Sequence, residues 1–254
     1  EILDLLYSLR GKSTIGRFSK FNCELMFAEM LDSTNALVKW GLKKENIVEI
    51  GNPVFDTAFD HSKQPLKKIK KRMNILFLTV NLLGNQGKSN WSKSNRNQMI
   101  KEFLEKVNIT SKETEITIKI HPTSESYTEY ETLLKPFKNI RLSQMDDVID
   151  LLLKSDIVIT SCTSTAGIIA LIMKKPIIIW NYFHVEGDLF LKKGIVLECN
   201  NSTELYDCMI NAESFRVQNE EKIKKFIKKE CGEGNSIKKI VYELEKWLEE
   251  IKIE

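Results

Sequence analysis

Residues 156–180 read DIVITSCTSTAGIIALIMKKPIIIW. Asp156 to Thr160 is a short β-branched run, too short for a helix and apolar on both faces, which predicts a buried strand. From Ser164 to Met173 the apolar residues fall at helical spacing, and Pro176 to Trp180 is a second apolar run. Strand, helix and strand in this order predict a βαβ unit with parallel strands. The pattern extends upstream. Asn74 to Val80 is an apolar strand, Met99, Phe103, Leu104 and Val107 recur with helical period, and Glu115 to Ile120 alternates before stopping at His121-Pro122. Residues 124–135 predict a helix, 139–142 a short strand and 146–154 an amphipathic helix. Four or five β-α repeats therefore lie between 74 and 200, the signature of an open, doubly wound α/β sheet whose ligands sit beyond the carboxyl ends of the strands.

Before residue 60 the pattern thins to a helix-like Leu25 to Trp40 and a strand at Ile47 to Ile50, and the basic run Lys67 to Arg72 follows Pro65. The expected organisation is the end of an N-terminal α/β domain (1–60), a linker (61–73) and a doubly wound C-terminal domain (74–254). Because the first residues already have helical character and one helix-strand unit precedes the linker, the chain is expected to be part of a longer protein. The 254 residues carry 38 basic and 35 acidic side chains, a net +3, too balanced for a dedicated nucleic-acid binder. Five cysteines without a C-x-x-C pair and three dispersed histidines give neither a disulfide framework nor a metal cluster, so no metal, no cofactor and a cytoplasmic location are expected. No apolar run approaches the ~20 residues of a bilayer span.

The residues that follow strands are the candidate site. Pro122 ends the β ladder and fixes the chain where His121 can donate to a phosphate or ribose oxygen. Thr160 to Gly167 joins a strand to a helix with five hydroxyls and two small residues. Thr163, Ser164, Thr165, Ala166 and Gly167 at a helix start present outward N–H groups and the positive end of the helix dipole to an anion. Gly84 to Asn90 (GNQGKSN) lacks the Walker spacing and reads as a loop beside the substrate. Glu186 follows the 177–180 strand, where a surface loop is expected. The run Lys67 to Arg72 reads as a solvated linker first and as a peripheral contact with an anionic membrane or polyanionic acceptor second. In the last helix Ile237, Ile240, Val241, Leu244, Trp247, Leu248 and Ile251 form one stripe flanked by mixed charge, expected to pack on protein.

Taken together, GLKKENIVEIGNPVFD (41–56), His121-Pro122, Lys154-Ser155-Asp156, Thr163 to Gly167, Lys175-Pro176-Ile177-Ile178 and Gly232-Glu233-Gly234-Asn235-Ser236 resemble, in order and spacing, motifs of GT-B fold enzymes. These are the bacterial surface-polysaccharide glycosyltransferases, the UDP-N-acetylglucosamine 2-epimerases and the glycerophosphotransferases. The resemblance implies a CMP-, CDP- or UDP-linked donor, a glycan acceptor, and inverting, metal-independent transfer with His121 at the donor phosphates and Glu186 as the candidate carboxylate on the nucleotide ribose. It further implies a general base on the N-terminal domain, so that this chain alone binds nucleotide without turnover. Epimerases of this group carry Asp-Ser-Gly-Gly-x-x-Glu-Glu where this chain has no acid between Thr163 and Ala170, and glycerophosphotransferases read Thr-Asp-Tyr-Ser-Ser where it has Thr160 to Ser164. The remaining alternatives are those two activities, hydrolysis, and a non-catalytic nucleotide-binding domain.

Overall fold

The computed structural model describes residues 24–29, 31–63, 73–80, 92–110, 114–184 and 186–253. The Gly84 to Asn90 loop and the basic run Lys67 to Arg72 lie outside these residues. Two compact units emerge: residues 1–61 together with 224–254, and residues 62–223.

The second unit is built on a six-stranded, all-parallel sheet in the order β5-β4-β3-β6-β7-β8. Its strands are β3 (Met73–Leu78), β4 (Thr114–Lys119), β5 (Ile140–Ser143), β6 (Ile157–Thr160), β7 (Ile177–Trp180) and β8 (Leu197–Cys199). The helices between them are α3 (Lys93–Thr110), α4 (Tyr127–Leu134), α5 (Val148–Lys154), α6 (Thr165–Ile172) and α7 (Leu189–Lys193), followed by α8 (Leu205–Gln218). The chain steps outward from β3 to β4 and β5, then returns to the other side of β3 for β6, β7 and β8. The reversal between β3 and β6 is the topological switch point, where the loops diverge and leave a crevice.

Every residue of β6 and β7 is buried, which is why those strands read as unbroken apolar runs. On β4 the buried residues Thr114, Ile116 and Ile118 alternate with less buried ones. Against the sheet α3 lays Met99, Ile100, Phe103, Leu104 and Val107, all at most 1% exposed, a stripe of i, i+1, i+4, i+5 and i+8. Phe103 packs 4.8 Å from Phe77 and edge-on to Trp180 at 5.4 Å. The Ser155-Asp156 dipeptide aligns strands: Asp156 Oδ2 accepts from Asn74 N at 2.8 Å and the Asp156 amide donates to Asn74 O at 2.8 Å, fixing the start of β6 against β3.

In the first unit β1 (Met26–Ala28) and β2 (Ile47–Glu49) pair in parallel, with α1 (Leu31–Lys39) between them and α2 (Asp56–Ser62) after them. The helix-like spacing expected from Leu25 thus begins with a strand, because Met26 to Ala28 take the ladder offered by Ile47 to Glu49. The C-terminal segment, expected to belong with residues 74–223, groups with residues 1–61 instead. α9 (Glu220–Cys231) leads to it and α10 (Ser236–Ile253) forms it. The reason is local: Asp56 accepts from Ser236 N at 3.1 Å and Ile237 N at 2.9 Å, satisfying the first donors of α10. Gly51, at φ 81°, lies so close that an added Cβ would sit 2.9 Å from Ser236 Oγ. The GNPVFD and GEGNS motifs therefore meet in space. The apolar stripe of α10 is only partly covered, with Ile237, Val241, Leu244 and Leu248 between 38 and 54% exposed.

Candidate functional site

Two corners flank the switch point of the second unit. The first follows β4. His121 is half-buried, with Pro122 and Thr123 exposed beside it. The Thr123 amide donates to His121 Nδ1 at 3.4 Å. Because an amide only donates, Nδ1 is the acceptor in this contact, which leaves Nε2 as the ring nitrogen that can donate.

Beneath His121 lies a carboxylate that the sequence reading did not single out. Glu125, its side chain 3% exposed, accepts from the His121 amide at 2.7 Å through Oε2. The hydroxyls of Thr79, just past β3, and Tyr130, on α4, also donate to it. Arg96, on α3 and equally buried, places its guanidinium 3.9 Å from Glu125 and 3.5 Å from Glu129, and stacks 4.6 Å from the Tyr130 ring centroid. Burial first, then the Glu125 charge, pushes the Tyr130 hydroxyl far above its ordinary range, so it stays protonated and donating. From the other side Gln144 Nε2 donates to Pro122 O at 3.1 Å and Glu125 O at 3.0 Å. Lys119 donates to Gln144 O in turn, and burial holds the Lys119 ammonium below its usual range against the opposing pull of Asp146 and Asp147.

The second corner follows β6. Ser164 caps α6, its Oγ accepting from Gly167 N at 3.1 Å. Thr163 does not face outward. Its amide and hydroxyl donate to Asp188 at 2.6 and 2.9 Å, and the same carboxylate accepts from Phe190 N at 2.9 Å and Leu191 N at 3.2 Å as the cap of α7. Asp188, 8% exposed, thus ties the turn before α6 to the start of α7. Gly167 is buried beneath this clasp, where an added Cβ would stand 3.0 Å from the Phe190 ring. The amides of Thr165 and Ala166, in the first turn of α6, have no acceptor within the helix by construction. Thr165 is exposed and Ala166 half-buried, which leaves this end open to an anion.

Glu186 is exposed, and the carboxylate that reaches the Thr163 turn belongs to Asp188, two residues later. An Asp directly before the apolar Leu189-Phe190-Leu191 is an N-cap signal legible in the sequence. Nothing comparable marks Glu125 or Arg96, whose neighbours are polar. Among the described residues no group of three His, Cys, Asp or Glu side chains is placed to hold a metal ion. No helix among them is long and apolar enough to cross a membrane.

Residues 18–245 match the protein family described as UDP-N-acetylglucosamine 2-epimerase. No curated protein matches the sequence. Solved structures share the fold. The wall teichoic acid polymerase TagF aligns at 17% identity with a TM-score of 0.56, over 89% of this chain and 59% of its own. The UDP-GlcNAc 2-epimerase of Neisseria meningitidis, bound to UDP-GlcNAc, aligns at 18% and 0.53, over 88% of this chain and 62% of its own. A putative UDP-N-acetylglucosamine 2-epimerase of Listeria monocytogenes aligns at 16% and 0.57, over 93% and 66%. This chain therefore spans roughly six-tenths of the length of these proteins. The fold is the GT-B type, with a Rossmann-like parallel sheet.

Proposed function

The chain belongs to the UDP-N-acetylglucosamine 2-epimerase family, and from that premise we propose that it forms the donor-binding half of a glycosyltransferase. The donor would be a CMP-, CDP- or UDP-linked sugar and the acceptor a surface-polysaccharide glycan. The observation that carries transfer over epimerisation is the second corner: residues 163–170 bear no acid, and the carboxylate closest to them in role, Asp188, already accepts from four donors. Epimerisation at a carbon needs a group to remove its proton. A carboxylate engaged by backbone N–H groups is a weak candidate for that task, since those bonds favour its charged form.

In the proposed reaction the Nε2–H of His121 and the first amides of α6 hold the donor phosphates and stabilise the negative charge that grows as the nucleotide leaves. Such preorganised donors act without reorganisation at the moment of bond breaking. The helix dipole of α6 adds to them. The base that activates an inverting acceptor is assigned to the acceptor-side domain.

Calorimetric titration with CMP, CDP and UDP tests the donor site. His121→Ala should raise Kd by roughly 10- to 150-fold, the loss of a charge-assisted hydrogen bond of ~1.5–3 kcal/mol. A change below about threefold in a folded protein removes His121 from the site. The family match favours a second reading, inversion at C2 of UDP-N-acetylglucosamine. Turnover of that substrate to its C2 epimer, by this chain joined to its acceptor-side domain and without any acceptor, would replace transfer with epimerisation.

A further inference from the structure

We propose that Glu125 is the positioning residue of this site, fixing the backbone of His121 so that its imidazole is presented to the donor phosphates. This rests on the reading of His121 as a donor-phosphate ligand. Glu125 is not placed to touch a ligand, because its carboxylate lies under the corner and is 3% exposed.

Its partners come from four places: Thr79 past β3, His121 past β4, Arg96 on α3 and Tyr130 on α4. A carboxylate buried this deeply is costly unless paired and hydrogen-bonded, and here the pairing converges on one amide, that of His121. A plain strand-to-helix connection needs no such arrangement. The direct bond to His121 N at 2.7 Å sets the corner from below, while Gln144 holds the carbonyls of Pro122 and Glu125 from the side. With both in place the Thr123 amide is held against Nδ1, and Nε2 is left as the ring nitrogen that can donate. Without Glu125 the His121 amide loses its acceptor, and the ring would sample orientations that do not reach the phosphate.

A double-mutant cycle on nucleotide affinity separates this role from a merely structural one. Glu125→Ala should weaken binding of UDP or CDP, whichever binds the parent protein more tightly, by about tenfold. The double variant His121→Ala/Glu125→Ala should bind no more than about twofold worse than His121→Ala alone, because Glu125 acts through a ring that is gone. Tyr130→Phe keeps the ring under Arg96 and removes one donor to Glu125, so it should give a smaller loss of about two- to fivefold that likewise vanishes in the His121→Ala background. It decides the matter if Glu125→Ala does not fold. Additive losses, or unchanged affinity in folded Glu125→Ala, overturn the proposal.

An imidazole NMR probe reads the same effect without ligand. Among the three histidines, His121 alone should show a shifted or broadened Cε1–H signal in Glu125→Ala, with His61 and His184 unmoved. If His121→Ala leaves affinity unchanged, the donor-site reading fails. The positioning role is then judged on the imidazole signal alone, and a His121 signal that does not move overturns it.

Discussion

The corner after β4 and the turn after β6 face the same crevice and are built on different plans. The first rests on a buried ion pair: Glu125 and Arg96, each side chain 3% exposed, with hydroxyls and one amide filling the remaining positions. The second rests on a carboxylate whose charge is met by three amides and a hydroxyl, with no cation among them. Removing either member of a buried pair strands the other charge in a medium that solvates it poorly. A capping carboxylate leaves only N–H and hydroxyl dipoles behind, and no stranded charge. The corner should therefore be brittle and the turn forgiving, although the proposed function gives both the same task.

Arg96→Met breaks the comparison hardest. It leaves Glu125 buried without its cation and should lower the unfolding free energy of this unit by about 3–5 kcal/mol, read from a urea titration. A loss of under about 1 kcal/mol would mean that the hydroxyls and the His121 amide suffice. Next in size is Gly167→Leu. The new side chain meets the Phe190 ring where a Cβ alone already stands at 3.0 Å, which should cost about 1–3 kcal/mol and weaken nucleotide binding through a displaced turn. An unchanged melting temperature would show that Phe190 has room to withdraw.

Asp188→Asn should cost less, about 0.5–2 kcal/mol, the range for a lost cap. The amide nitrogen it introduces has to face a donor, Thr163 N or the amides that open α7, wherever the side chain turns. Reduced stability with unaltered nucleotide affinity would detach Asp188 from the site and leave it a cap only. The smallest effects distinguish two neighbours. Ser164→Ala removes the hydroxyl that accepts from Gly167 N and should cost about 1 kcal/mol. Thr165→Ala, at an exposed position, should stay within about 0.5 kcal/mol. Both proteins should retain most of their nucleotide affinity if the α6 amides, rather than the hydroxyls, carry the anion. A loss exceeding tenfold in either would shift that role to its side chain.

The fold was legible because period and burial follow from local sequence. Ile157 to Thr160 and Ile177 to Trp180 are apolar on both faces since both faces are covered, and the α3 stripe repeats with the helix turn. His121-Pro122 and the hydroxyl-rich start of α6 were visible for the same reason: strand ends and helix caps have residue signatures. Asp188, two residues after the candidate ribose carboxylate Glu186, is a cap that its own apolar neighbours mark, and the sequence reading did not single it out.

What the sequence did not contain is which side chains meet across elements. Glu125 and Arg96 are 29 positions apart in polar surroundings that read as surface, and only the parallel register of β3 with β4 brings the Thr79 and His121 ends together over them. Thr163 looks like one more hydroxyl of a cradle until α7 folds back and Asp188 takes both its donors. The C-terminal helix follows the same rule, grouping with residues 1–61 because Asp56, 180 positions away from Ser236, satisfies its first amides. Periodicity is a property of neighbouring residues and survives in one dimension. The pairing of a buried charge or an unsatisfied amide is settled by whichever group the packed chain brings within hydrogen-bonding distance, and so exists only in three.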